Sequence, residues 1–383
     1  MTAAPALSRR RILHVLYRFD IGGLENVIVQ LINRLPPDRF EHAVMALTEV
    51  TTFRQRVTRN DVEFIALNKQ PGHAFSLYPR IYRFMREWRP DVVHTCNLAA
   101  LELTPLAWLA GVPVRVHAEH GWDVTDPVGA SRKNQLIRRV YKYFVNHYVT
   151  VSKDLARYLT GPVGITANKV SLIPNGVDTD AFRPAQGIKE GIAGCPFAVG
   201  QCWLVGTVGR LQTVKNQIAL ARAFVLLMGR HPAARRDVRL LIIGEGAARA
   251  QIEAILLQGG VADLAWLPGA REDVALILRQ LSCFVRPSFA EGTSCTLQEA
   301  MAAALPVVAT AVGGTSDLVE NGVTGTLIGA DDDDALAEAM WHYYSNRIVA
   351  VEHGRCGRAR FVAGYTLDGM VANYAPLFNS SER

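Results

Sequence analysis

Glu291-Gly-Thr-Ser-Cys-Thr-Leu-Gln-Glu299 runs on into Ala300-Met-Ala302 and, after Pro306-Val-Val-Ala-Thr310, into Gly313-Gly314. Two carboxylates stand eight positions apart. The first falls in a stretch with no periodicity and many turn-prone residues, Ala290 to Ser294, so it belongs to a loop. The second lies about one turn into a helix, because Gln298 to Ala304 are strong helix formers. The apolar Val307–Ala309 then reads as a strand. A helix N-terminus fronted by Thr293, Ser294, Cys295 and Thr296 offers backbone N–H groups and the positive end of the helix dipole to an anion. Carboxylates beside an anion site suit a ligand that carries both hydroxyls and phosphates, such as a nucleotide sugar.

The same alternation of apolar β-branched runs with helical stretches extends along the whole chain, which indicates α/β architecture with parallel sheets. In the first half the strands read as Ile12–Leu16, His42–Leu47, Val62–Leu67, Asp91–Thr95, Val112–Ala118, Tyr148–Val151 and Val170–Ile173. A second series follows at Leu204–Val208, Arg239–Ile243, Leu264–Trp266, Cys283–Arg286 and Val307–Ala309. Helices fall between them, among them Leu24–Arg34, Tyr78–Trp88, Arg132–Val145 and Asn216–Met228. Gly- and Pro-rich sequence without periodicity separates the two series. The organisation expected is a Rossmann-like domain at 1–183, a linker at 184–202, a second Rossmann-like domain at 203–360, and a C-terminal helix within 361–383. Two doubly wound domains would face each other across a cleft lined by the C-terminal strand edges.

At 383 residues two domains are the natural expectation, and 49% hydrophobic with 20% charged residues is ordinary for a soluble globular protein. The apolar stretch from Leu98 to Gly111 is interrupted by Glu102 and Pro105 and reads as a buried helix, not a membrane span. Met1-Thr-Ala-Ala-Pro5 lacks the order of a signal peptide. The six cysteines form no C-x-x-C pair and suit a cytoplasmic protein with reduced thiols. Charge is uneven: residues 1–185 hold 24 Lys and Arg against 16 Asp and Glu, leaving 17 against 19 beyond. That asymmetry points the first domain at a polyanion or an anionic membrane. No nucleic-acid-binding module is recognisable, so peripheral contact with the inner face of the cell membrane is the preferred reading. The cations of Ser131–Lys142, on a helix with apolar neighbours, suit that contact, although a solvated basic face would look the same.

Several shorter patterns carry chemistry. Gly22-Gly23-Leu24-Glu25 follows the first strand and opens a helix, letting backbone approach a ligand, although an ordinary β–α turn looks the same. Val208-Gly209-Arg210-Leu211 with Lys215 places two cations five residues apart after a strand, enough to neutralise a diphosphate. Gly244-Glu-Gly246 suggests a nicotinamide-type turn, but Arg249 occupies the third glycine position, so a tight turn near the nucleoside is preferred. His120-Gly-Trp-Asp123 follows a strand edge; His120 can touch a reacting sugar and Asp123 can accept from an acceptor hydroxyl. His117, three residues earlier, reads as a satisfied core histidine. The run Asp331–Asp334 is explained as helix N-cap and first-turn carboxylates, so no metal is invoked.

Taken together these elements resemble a retaining family-4 glycosyltransferase of GT-B fold, over nearly the whole length. The matching residues are Gly22-Gly23-x-Glu25, His120-Gly121, Val151-Ser152, Ile173-Pro-Asn-Gly-Val-Asp178 with Phe182, and Val208-Gly209-Arg210-Leu211 with Lys215. Further matches are Gly244-x-Gly246, Leu267-x-Gly269-x-Arg271-x-Asp273-Val274, Glu291-x7-Glu299-Ala-Met-Ala, and Gly313-Gly314. His120-Gly-Trp-Asp123 with Glu291-Gly-Thr-Ser also resembles sugar transferases of bacterial exopolysaccharide loci linked to exosortase systems. The resemblance implies that Arg210 and Lys215 bind the donor diphosphate, Glu291 the transferred sugar, and Glu299 the ribose. Thr293 to Thr296 would line the phosphate region, with Gly22, Gly23, Gly209, Gly244, Arg271, Gly292, Ser294 and Cys295 completing the donor site. His120 would touch the sugar on the acceptor side, and the C-terminal helix would cross back to the first domain. Such enzymes usually need no metal or other cofactor; the nucleoside diphosphate sugar is a substrate, and a lipid-linked or saccharide acceptor is its partner. One departure is Ala304, where the family often has Gly; the extra methyl is expected to cost little.

Glu299 suits ribose better than an anomeric carbon, so a front-face retaining path is expected over double displacement. In it the cations and the helix N-terminus stabilise the departing diphosphate, and closure of the domains excludes water. Two other functions fit the same residues. A sugar-nucleotide epimerase shares the architecture but needs no acceptor. A silent nucleotide-sugar-binding scaffold would consume no donor.

Overall fold

The computed structural model describes residues 9–72, 74–123, 126, 129–187 and 191–380. The chain divides into two compact units. One takes in the described part of Met1–Gly176 and Leu367–Arg383, the other that of Val177–Thr366.

The first unit is built on seven strands: β1 (Arg10–Leu16), β2 (Phe40–Ala46), β3 (Glu63–Ala66), β4 (Val92–Cys96), β5 (Val114–Glu119), β6 (His147–Thr150) and β7 (Val170–Leu172). All pairings are parallel, in the order β3-β2-β1-β4-β5-β6-β7. The central strands are buried on both faces, which is why they read as apolar runs and not as alternating patterns. The chain leaves β1 toward β2 and β3, then returns to pair β4 on the other side of β1. Loops at that reversal diverge and leave a crevice. The helix Leu367–Asn379 belongs to this unit: Leu367, Met370, Tyr374 and Phe378 share one core with Ile12, Leu16 and Val92. Arg10 ties its end by donating to the Phe378 and Ser380 carbonyls, at 2.9 and 2.8 Å.

The second unit repeats the plan with six parallel strands: β8 (Trp203–Val208), β9 (Val238–Ile243), β10 (Ala265–Gly269), β11 (Cys283–Arg286), β12 (Val307–Thr310) and β13 (Thr326–Ile328). Their order is β10-β9-β8-β11-β12-β13, so the reversal falls between β8 and β11. The helix Gln217–Arg230 packs Ala219, Leu220, Ala223, Phe224 and Leu227 into this unit's core.

Local departures from the sequence reading have physical causes. β13 is three residues long at a sheet edge and carries no apolar run to reveal it. The stretch 98–111 is not one buried helix. It forms Asn97–Leu101 and Thr104–Leu109, broken ahead of Pro105, and Trp108 and Leu109 are exposed. Asp332 caps the helix Asp333–Ser345 by accepting from the Ala335 N–H at 2.8 Å, and Arg222 and Arg230 pair with Asp333 and Asp334. Ala304 adopts φ +57°, in the left-handed region that glycine favours, so its methyl group is strained.

Candidate active site

The reversal in the second sheet gathers the loops after β8 and β11. β8 ends in Val208, and Gly209 and Arg210 follow it. β11 ends in Arg286, and Ser288 and Glu291 follow that. Glu291 is buried and takes three partners. Lys215 Nζ lies 2.8 Å from its Oε2, Arg286 Nε lies 2.8 Å from its Oε1, and Ser288 Oγ donates to Oε1 at 2.7 Å. Burial alone would raise this carboxyl, but Arg286, Lys215 and the hydrogen bonds outweigh it and hold Glu291 at about 2. Lys215 is lowered from its usual value, because burial and the Arg286 charge outweigh Glu291; Arg210 adds a further like charge. Glu291 is therefore shared between Lys215 and Arg286, and Arg210 adds a third positive charge beside Lys215, leaving an excess of positive charge.

Two glycines set the shape of this site. Gly244, just after β9, has φ +139°, and a Cβ there would lie 2.0 Å from the Gly209 carbonyl. Gly313, after β12, has φ +49°, and a Cβ would lie 1.9 Å from the Glu291 carbonyl. Both let one backbone segment close on another, so Gly209 and Glu291 are placed by neighbours that carry no side chain.

The helix Cys295–Ala302 starts directly after this cluster. Ser294 is its N-cap and accepts from the Leu297 N–H at 3.3 Å. Thr293 and Ser294 are buried, whereas Gly292, Cys295, Thr296 and Glu299 are half-buried. Thr296 Oγ1 lies 3.3 Å from Ser294 Oγ. Arg210 is exposed, and its carbonyl accepts from Gln217 at 3.0 Å. Arg271 is turned to Asp273 in a two-bond pair of 2.8 and 2.7 Å and lies over the Trp266 ring. Arg286 escaped the sequence reading. A single charge at the C-terminal end of an apolar strand, five residues before Glu291, was its signal.

The remaining site residues sit in the first unit. Gly22 caps the helix Gly23–Arg34 in extended backbone, beside the Glu25 carboxylate. His120 follows β5. Its backbone N–H donates to Asn97 Oδ1 at 2.8 Å, while its two ring nitrogens are buried without a hydrogen bond. Burial pushes His120 down to about 4, with Asn175 and Glu119 opposing, so the ring is neutral near pH 7. His117 lies fully within β5 between Thr95 Oγ1 (2.9 Å) and Glu119 Oε1 (3.3 Å). Trp122 packs edge-on to Tyr158, and Asp123 bridges to Asp126 through the backbone. Arg138, one of the cations of the basic helix Arg132–Tyr141, is buried in a pair with Glu119 at 2.6 Å.

Comparison with known proteins matches these two units to two domain families. Residues 21–181 match Glycosyltransferase Family 4, and residues 203–346 match Glycosyl transferases group 1. The UDP-Gal:alpha-D-GlcNAc-diphosphoundecaprenol alpha-1,3-galactosyltransferase of Escherichia coli is 26% identical, with 94% of each chain covered. The lipopolysaccharide core biosynthesis mannosyltransferase LpcC of Rhizobium leguminosarum bv. viciae is 29% identical over 55% of this chain and 59% of its own. Among solved structures, HepE of Anabaena in complex with UDP and glucose superposes with a TM-score of 0.80 at 19% identity, covering 97% of this chain and all of that one. A glycosyltransferase from Rickettsia africae superposes with the same score at 16% identity, covering 98% and 99%. The chain therefore belongs to the GT-B-fold glycosyltransferases that join a family 4 domain to a group 1 domain.

Proposed function

We propose that this enzyme moves a hexosyl unit from a nucleoside diphosphate sugar to a lipid-linked or saccharide acceptor, with retention of configuration, in bacterial exopolysaccharide or glycoconjugate synthesis. The observation that carries the donor assignment is the excess of positive charge around Glu291, at the sheet reversal and beside a helix N-terminus. A diphosphate is the anion that such a site neutralises. Arg210, Lys215 and Arg286 supply the charge stabilisation that the leaving diphosphate requires, so the donor step needs no metal ion and no organic cofactor. Glu291, held ionised, accepts from the sugar hydroxyls, and Glu299 from the ribose. His120, as a neutral imidazole, contacts the sugar on the acceptor side, with Asp123 accepting from the acceptor. Because Glu291 is already bonded by two cations and a serine, it is a poor nucleophile, which favours a front-face path.

A lipid-linked acceptor agrees with the name of the Escherichia coli relative. It also agrees with the surface of the helix Arg132–Tyr141 and the turn after it. Leu136, Val140 and Tyr143 are exposed there beside Arg132, Lys133 and Arg139, an apolar stripe edged by cations. No helix among the described residues is long and apolar enough to cross a membrane. A peripheral position on the inner face of the cell membrane follows as part of the proposal.

The test is incubation with UDP-, GDP- and ADP-hexoses and a short-chain polyprenyl diphosphate saccharide, with proton NMR of the product. An α-linked product from an α-linked donor is expected, undiminished by chelator. A β-linked product would overturn retention, and donor isomerisation without acceptor would replace transfer by epimerisation.

A further inference from the structure

His94 and Cys96 stand two apart on β4, and side chains two apart on a strand share a face. β5 pairs with β4 through Cys96 and Ala118, which brings His120, just past β5, to the same edge. One ligand atom from each of these residues lies within 4.8 Å of the other two, and His94 Nε2 is 3.8 Å from Cys96 Sγ. In a tetrahedral zinc site, bonds of about 2.0–2.3 Å put neighbouring ligand atoms roughly 3.5 Å apart, so small side-chain rotations close the set.

Two further observations point to a cation. His94 turns Nε2 to Cys96 because Nδ1 is engaged by His14 Nδ1 at 3.0 Å, and His14 Nε2 in turn meets His42 Nδ1 at 3.1 Å. A ligating histidine is normally held in this way through its second nitrogen. Both ring nitrogens of His120 are buried and out of hydrogen-bonding geometry with Asn175, the polar side chain beside them, a cost that a coordinated ion would remove.

We propose that His94, Cys96 and His120 form a binding site for a borderline-soft divalent metal ion of the zinc class, with the fourth position left to water or an anion. On binding, the Cys96 S–H bond is replaced by a sulfur–metal bond and the proton leaves to solvent; no electron is transferred. Its three residues belong to the first unit, whereas the cluster around Glu291 belongs to the second. Its consequence for turnover rests on the acceptor-side role of His120 proposed above: an ion that holds His120 inhibits transfer, and chelator restores it.

The experiment titrates chelator-stripped, full-length protein with Co2+ and follows the near-ultraviolet thiolate-to-cobalt absorption, so it does not depend on the transferase reading. One equivalent is expected to bind, to be displaced by Zn2+, and to be unaffected in Cys356→Ser and Cys295→Ser. Cys96→Ser should lose the band, and His14→Phe should weaken binding about ten- to a hundredfold. Absence of the band in the wild type, or its survival in Cys96→Ser, would overturn the proposal. If circular dichroism shows that Cys96→Ser has not folded, His120→Asn decides, because that residue lies in a half-buried loop; unchanged affinity there would also overturn it.

Discussion

Glu291 shows how one side chain can serve both stability and chemistry. Removing Arg286, as in Arg286→Ala, leaves a buried carboxylate short of a partner and should cost about 3 kcal/mol or more in a urea melt. Lys215→Ala removes the more accessible partner. It should cut turnover by about a hundredfold or more with a smaller loss of stability; near-normal turnover in both Lys215→Ala and Arg210→Ala would remove the diphosphate assignment. The pH dependence has a definite sign. Glu291 falls from its ordinary 4.5 to about 2, so it stabilises the fold above pH 4.5, and that contribution is lost as pH falls toward 2. Glu119, held at about 2 against burial by Arg138 and His117, adds to the same window. Glu291→Gln should therefore flatten the acid limb of stability between those values, measured by thermal melts across pH.

At the scale of elements, the close backbone approaches decide placement. Gly313→Ala would drive a methyl group into the Glu291 carbonyl, from a segment that makes no contact with substrate in the proposed roles. A displacement of about 1 Å at Glu291 should reduce turnover on the order of a hundredfold, and the backbone clash at positive φ should lower the melting temperature as well. The opposite holds at Ala304, in the turn after the helix Cys295–Ala302. Ala304→Gly relieves the left-handed strain and should stabilise by about 1 kcal/mol without altering turnover. Residue identity alone suggests that this methyl group costs little, because φ is not visible in it. The strands were legible for the opposite reason: strands buried on both faces must be apolar throughout, so β1, β4, β8 and β11 announced themselves within a residue or two. β13, short and at an edge, was under no such demand.

Across the whole molecule, the helix Leu367–Asn379 is distant in sequence from the unit it completes. Ending the chain at Thr366 would expose the core face that Leu367, Met370, Tyr374 and Phe378 cover, each worth about 2 kcal/mol of burial. That loss is comparable to the whole stability of a domain. The truncated chain should be recovered mainly as aggregate, read by soluble yield against the full chain. The α/β class, the two series of strands, and the loop–helix junction from Glu291 to Glu299 were legible in the order of residues alone. These depend on periodicity, turn chemistry and capping, which act over a few residues. Which groups share Glu291, that Arg286 is one of them, and that His94, Cys96 and His120 converge became visible only in the packed fold. Those partnerships are made where parallel strands distant in sequence bring their C-terminal ends side by side, and strand order is a property of the packed sheet.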